Sequence, residues 1–582
     1  MPSQNRSQSR QPSGVMRSLP RTRVCLVLVC CCVAIILWLT LEQGRTPSNE
    51  NPEARWFHAK IIPDVETNAQ HHHSGGVQHH SGGGGVLVMQ DGEEEGKGKH
   101  YPGHGAGGGD GRGKKTGDSK PNKSKKKNKE KAKYEEMEIK DLGMKEEEAE
   151  RWIKENIKTG YCNPPDREIT GEEGKFKPGF NLKAAYVVAR HGDRTPMQEF
   201  ADIPNSNWHP QWNCDLKQAS KTITSDTLKR FVDQMQAEII KGDMTGALGT
   251  FKNLPVNHNG ICKKSQLTPI GWLQHLELGT FFRKAYGRTL VQNQELLRDV
   301  SNFQSTMNLR TQQSAFAFMY GFFEKATLND TIRIKTVPNV NFCPLDMCAC
   351  PALDHLIKDK EAQHAKLMRG NPKFMNVMRS VAQTLYGTTL ITTLPGINQV
   401  AEILATLVCH NMPYPYGSSG TITPIQHAVY HKLLEETWVS QSHVKDGTYE
   451  KVGRMFIQPL LTDMLRTMYK ITQGVSKPRF VFNSGHDITI RPIVDGLKLS
   501  SPGWPHYASR VVFELWGRAT SKEHFLRVLA YGKDQTDQVQ FCKGKMTADG
   551  LCPFSALVSF VEKENMEYFY SESYRDACTR TY

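Results

Sequence analysis

Arg190, His191 and Arg194 stand within one short run, RHGDR, and their types and spacing suit the handling of a phosphoryl group. Each guanidinium is a planar fork that can hold two phosphate oxygens. An imidazole between two such forks can attack phosphorus and carry the phosphoryl group. Gly192, beside the histidine, is read as the residue that lets the backbone come close to a ligand. The same charges could also form a solvated turn after a core strand. The strand-then-turn context is what favours the phosphoryl reading.

That context is set by residues 183–190, KAAYVVAR, an apolar run rich in β-branched residues that predicts a buried strand. Its carboxyl end delivers the charged cluster, where open α/β sheets bind ligands. A second apolar strand is predicted in RFVFNSGHDIT, residues 479–489, with His486 and Asp487 at its tip. Asp487 is a candidate to protonate a departing hydroxyl group, and His486 to donate to phosphate oxygens. The two motifs are far apart in sequence, so the fold must bring two parallel strand ends together. Arg310 precedes the apolar helical run of SAFAFMYGFF. An arginine there adds its charge to free backbone amides and the helix dipole. Residues 267–287, LTPIGWLQHLELGTFFRKAYG, have apolar residues at helical spacing after a Thr-Pro start, which predicts a packed helix. RVVFELWGR from Arg510 and HFLRVLAY from His524 predict an antiparallel strand pair that completes the sheet.

RHGDRTP resembles the RHGxRxP signature of the histidine acid phosphatases, the branch of the histidine phosphatase superfamily that also holds the phytases. Leu267, Thr268, Gly271 and Gln274 are similar to its LTxxGxxQ helix, Arg310 to its RTxxS segment, and His486-Asp487 to its HD motif. The resemblance covers residues 161–582 and implies an α/β fold: a mixed central sheet flanked by helices, with an inserted, mainly helical cap. It implies His191 as nucleophile, Asp487 as proton donor, and Arg190, Arg194, Arg310 and His486 as the phosphate-binding set. No metal or other cofactor is implied, since the arginines supply the positive charge. The HD form differs from the HAE form of the inositol polyphosphate phosphatases. YCNPP, NLPVNHNGIC, CPLDMCACP, CHNMPYP and the terminal YRDAC resemble a Golgi subgroup of the family. For that subgroup the implied substrate is the phosphorylated glycan of the proteoglycan linkage region. A mutase of the same superfamily, a broad acid phosphatase and a non-catalytic glycan-binding scaffold remain as other readings.

The rest of the chain sets the address. Its formal charge of +14 is concentrated in an amino-terminal arginine set and in ten lysines between Lys114 and Lys133. Neither has an aromatic stacking platform beside it, which excludes a nucleic-acid partner. Residues 1–23 carry five arginines and no acid and are read as a cytoplasmic tail. Residues 24–41 are eighteen uncharged, mostly apolar residues, long enough for a signal-anchor transmembrane helix. Positive residues stay cytoplasmic, so the remainder is expected in the lumen, on a single-pass type II Golgi protein. Residues 42–158 are read as a disordered Gly/His/Lys-rich stem, with 135–158 as a candidate short helix, and residues 159–582 as the phosphatase domain. The GxGxxG match at Gly103, Gly105 and Gly108, and the near P-loop that follows it, lack a preceding strand and are set aside. Ten cysteines lie at or after Cys162. Cys343, Cys348, Cys350, Cys409 and His410 lack the paired CxxC spacing of a zinc site, so up to five disulfides are expected. Asn122 and Asn329 are possible glycosylation acceptors. Oligomeric state is not legible.

Overall fold

The computed structural model describes residues 142–582, apart from residues 167, 201–202, 205–207, 209, 242–259, 292–296, 324–333, 345–346 and 476. The apolar run 24–41, the stem up to residue 141, the glycine-rich matches and the sequons at Asn122 and Asn329 lie outside the described residues. Among the described residues no helix is long and apolar enough to cross a membrane.

The predicted signature strand is β1, Phe180–Arg190, and every one of residues 184–190 is buried. A strand covered on both faces reads as a continuous apolar run, without alternation. The other strands are β2 (Ser301–Thr306), β3 (Ile334–Val337), a small ribbon of β4 (Tyr416–Gly417) and β5 (Gly420–Thr421), β6 (Phe480–Gly485), β7 (Arg510–Arg518), β8 (His524–Ala530), β9 (Lys533–Asp534) and β10 (Cys552–Pro553). The main sheet runs β10-β8-β7-β1-β6-β2-β3, with β9 added to β8. β1, β6, β2 and β3 are parallel, whereas β7, β8 and β10 are antiparallel, so the sheet is mixed.

β6 comes late in the chain but lies between β1 and β2. Its register sets Gly485 beside Arg190 and Ser484 beside Ser305, so the three strands end level. The residues that follow each strand therefore meet at one edge. One sheet face carries helices α2 (Pro269–Tyr286) and α3 (Leu309–Phe322). Phe318 stacks on Phe482 at 3.7 Å between ring centroids, and Phe322 on Phe480 at 4.4 Å. The opposite face carries α8 (Thr448–Thr472), where Tyr186 of β1 donates to Asp463 at 3.2 Å.

Between β3 and β6 the chain forms a mainly helical cap of α4 (Pro351–Gly370), α5 (Pro372–Tyr386), α6 (Ile397–Cys409) and α7 (Pro424–Ser442). It has its own apolar core, including Phe374, Val381, Leu404 and Tyr430. The folded region also reaches further back than residue 159. Helix α1 (Glu146–Trp152) continues into a π-helical segment, Ile153–Tyr161. Ala149, Ile153 and Ile157 form a four-residue repeat that is buried against Ala405 and Ala428 of the cap. Residues 146–158 thus belong to the folded body and not to the stem. Their abundant charge masks a narrow apolar stripe. All ten cysteines from Cys162 onward are paired, as Cys162–Cys409, Cys214–Cys262, Cys343–Cys348, Cys350–Cys578 and Cys542–Cys552.

Candidate active site

The turn after β1 is buried throughout residues 191–196 and is held by backbone and helix contacts. The His191 N–H donates to Gly485 O at 2.9 Å, continuing the β1–β6 ladder by one residue. Gly192 also has a packing role that its sequence context does not announce. A Cβ there would lie 2.3 Å from Gly271 O, so the glycine lets the turn pack on the start of α2. Gly271 answers in kind, because a Cβ on it would meet Asp193 O at 2.2 Å. Thr268 caps α2 and accepts from the Gly271 N–H. Gln274 accepts from the Asp193 N–H at 2.7 Å and donates to Cys162 O and Asn163 O.

His191 Nδ1 lies 2.7 Å from Gly192 O. A carbonyl oxygen can only accept, so Nδ1 carries the proton and Nε2 keeps its lone pair. Burial drives the His191 pKa well below its ordinary value, and the charges of Arg310, Arg190 and Arg194 add to this. The ring is therefore neutral and nucleophilic at Nε2. It stands edge-on to the His486 ring, with centroids 5.5 Å apart.

Arg190 is fully buried: it donates to Pro505 O at 2.5 Å and to Tyr161 Oη at 3.1 Å, and pairs with Asp487 Oδ2 at 3.0 Å. Its guanidinium carbon lies 4.3 Å from the centroid of the Tyr507 ring. Arg194 pairs with Glu402 of α6 and donates to Thr195 O at 3.0 Å. The Nε atoms of Arg190 and Arg194 are buried with no acceptor in the protein. Arg310, in the first turn of α3, donates to Ser265 Oγ at 2.8 Å and reaches to 3.5 Å from His486 Nδ1. His486 precedes α9 (Asp487–Leu497), and its Nε2 lies 2.9 Å from Thr306 Oγ1 at the end of β2. Burial and then Arg310 keep His486 well below its ordinary value, against the opposing charge of Asp487.

All six side chains singled out in the sequence thus stand together around one point. Asp487 accepts from Arg190, from Trp504 Nε1 at 3.1 Å and from the Ile488 N–H at 2.8 Å. Burial alone would raise its pKa, but Arg190 and Arg194, with the indole bond, hold the carboxyl well below its usual range. Three arginines, two neutral imidazoles and two carboxylates leave a site with surplus positive charge, suited to a tetrahedral dianion.

Several participants were not anticipated. Asp193 lies inside the motif, and its Oδ2 accepts from Thr268 and pairs with His410 Nε2 at 2.7 Å. Glu402 is a lone acid in the apolar helix INQVAEILATLVC, a pattern that flags a buried pair. Trp504 leaves no such trace, since nothing local in SSPGWPHY ties it to Asp487.

The model of the histidine phosphatase superfamily (branch 2) matches residues 181–530, more than half of the chain. A 2-phosphoxylose phosphatase 1 from Xenopus tropicalis is 29% identical over 428 residues, covering 72% of this chain and 81% of that protein. The Homo sapiens protein of that name is 28% identical over 430 residues, covering 72% and 86%. Among solved structures, a phytase from Citrobacter braakii covers 66% of this chain and 98% of its own, with a TM-score of 0.43 at 17% identity. The turn that carries Arg190, His191 and Arg194 and the HD pair that meets it thus both lie within the matched region, and the chain belongs to the histidine phosphatase superfamily, branch 2.

Proposed function

We propose that the protein is a phosphomonoesterase working through a phosphohistidine, with the 2-phosphate of xylose in the glycosaminoglycan linkage region as its substrate. The observation that carries the chemistry is the His191 ring: its Nδ1 proton is fixed on Gly192 O, and burial together with the charges of Arg310, Arg190 and Arg194 keeps it neutral. In the first step Nε2 forms a bond to phosphorus and the ester P–O bond breaks. Arg190, Arg194, Arg310 and His486 balance the equatorial oxygens. Asp487 gives its proton to the departing sugar oxygen. In the second step water attacks phosphorus, the P–N bond breaks, Asp487 takes the water proton, and phosphate leaves. Arg190 and Trp504 favour the ionised form of Asp487, so the reaction draws on a substrate phosphate whose own charge offsets Arg190 and favours the protonated acid. The names of the relatives support the substrate.

Phosphate release by the full chain from a 2-phosphoxylose linkage oligosaccharide and from an aryl phosphate tests this reading, together with acid-labile label trapped on His191. Strong preference for the oligosaccharide is the expected result. Comparable rates on both would favour a broad acid phosphatase. That second reading has one observation behind it: Met197, Met307 and Ile488, neighbours of the site residues in sequence, are exposed by 39%, 63% and 39% and set no charged selectivity.

The lumenal address belongs to the same proposal. It is supported by five disulfides, which persist in oxidising compartments. Protection of the folded region from added protease in intact vesicles is the expected outcome, and digestion without detergent would refute it.

A further inference from the structure

We infer that Trp504 is a platform for the ring of the leaving group, so that the site selects phosphate esters of pyranose sugars, with Glu435 as a hydrogen-bonding partner for a ring hydroxyl. This rests on the phosphomonoesterase reading above and goes beyond it by naming what recognises the alcohol half of the ester.

The six phosphate-handling residues account for the phosphoryl group and the proton. None of them accounts for the ring to which the ester oxygen belongs. That ring must lie on the far side of the proton donor from His191. The side chain that meets the donor, apart from Arg190, is Trp504, whose Nε1 donates to Asp487 Oδ2 at 3.1 Å. Its position is fixed twice. The N–H is committed to Asp487, and the indole packs on the buried Trp438, with centroids 4.4 Å apart and planes tilted by 33°. Trp504 itself is only half-buried, so part of the side chain remains open to a ligand. A pyranose has one face made largely of C–H groups, and burying that face on an indole is favourable. An indole held rigidly in advance loses little entropy on binding.

The hydroxyl groups at the rim of such a ring need polar partners, and Glu435 is placed to be one. It lies one helical turn before Trp438 on α7, and its Oε1 is 3.2 Å from where a Cβ on Gly503, the residue before Trp504, would stand. A residue with a side chain at 503 would crowd this carboxyl, and Gly503 has φ +135, a conformation that glycine tolerates. Burial pushes the Glu435 pKa up to about 7, with no arginine or lysine to oppose it. A carboxyl in that range can donate as well as accept, which matches a hydroxyl.

The test uses the full chain and two esters with similar demand for a proton: methyl 2-phospho-β-xyloside, which has a ring, and glycerol 2-phosphate, which has none. Trp504→Leu should lower kcat/KM for the xyloside by roughly tenfold or more beyond any loss on glycerol 2-phosphate, mainly through KM. Trp504→Phe keeps a ring without the N–H. It should retain the preference for the xyloside over glycerol 2-phosphate. Glu435→Gln, nearly isosteric, should raise KM for the xyloside alone. Equal losses on both esters in the Leu variant, with an unchanged KM ratio in Glu435→Gln, would overturn the platform. A wild-type protein that hydrolyses glycerol 2-phosphate but not the xyloside would instead overturn the substrate reading, and with it the platform.

Discussion

His191 can act only as a neutral base, and its surroundings secure that state. Burial and three guanidinium groups disfavour a fourth positive charge, so the imidazole stays unprotonated well below its ordinary value of 6.5. The rate should therefore show no acid-side fall near pH 6.5, where an unperturbed histidine would begin to protonate. A kcat/KM profile that drops there would contradict the placement. Asp487 has the complementary problem, since it is pulled towards its ionised form and must still deliver a proton. Asp487→Asn should reduce turnover of sugar or alkyl phosphates by roughly 10²- to 10⁴-fold and that of activated aryl phosphates far less. His191→Ala should abolish both. Equal losses in the Asn variant on the two ester classes would remove Asp487 from the role of acid.

Among the elements, the contact that matters most is between the signature turn and the start of α2. Gly192 and Gly271 face each other so closely that each lacks room for a Cβ, and the nearest neighbour in the way of each is a backbone oxygen that cannot rotate aside. Gly271→Ala should thus push the turn off the helix. The expected cost is roughly 1–3 kcal/mol of stability, read from denaturant midpoints, with a fall in kcat larger than the rise in KM because the nucleophile moves with the turn. An alanine variant with unchanged stability and activity would show that the close approach is not required. Helix periodicity exposed the existence of α2 but not this function, since a packed helix already explained each of its residues. Likewise a short helix was expected within residues 135–158, but its packing against the cap was hidden, because its stripe is only three residues wide, Ala149, Ile153 and Ile157, set among lysines and glutamates.

For the molecule as a whole, the question is how the cap is held over the sheet. Helix α6 supplies two ties: Glu402 reaches Arg194, and His410, just past its end, reaches Asp193. The Cys162–Cys409 disulfide fastens the same helix end to the π-helical segment. Burial would lower the His410 pKa, but the charge of Asp193 and the hydrogen bond to it outweigh burial and raise it above 6.5. A group raised on folding contributes its full stability below its unfolded value and loses it as the pH climbs through the folded value. His410→Asn should therefore be less stable than the wild type by on the order of 1–3 kcal/mol at pH 5.5, and the gap should narrow at pH 8.5. Denaturant melts at the two pH values check this. A gap that is constant or widens with pH would mean that the pair is not an ion pair.

The local chemistry was legible in the chain itself. Arg190, His191 and Arg194 follow a buried strand, His486 and Asp487 follow another, and Arg310 opens a helix, because each of these placements depends only on residues a few positions away. The same holds for the antiparallel β7–β8 pair, whose apolar runs announce it. The tertiary structure alone decided what lies next to what. It inserted β6 between β1 and β2, packed Gly192 against Gly271, brought Glu402 and His410 in from the cap, and set Trp504 on Asp487. These contacts join residues far apart along the chain, and they arise from the packing of whole elements, which no local pattern encodes.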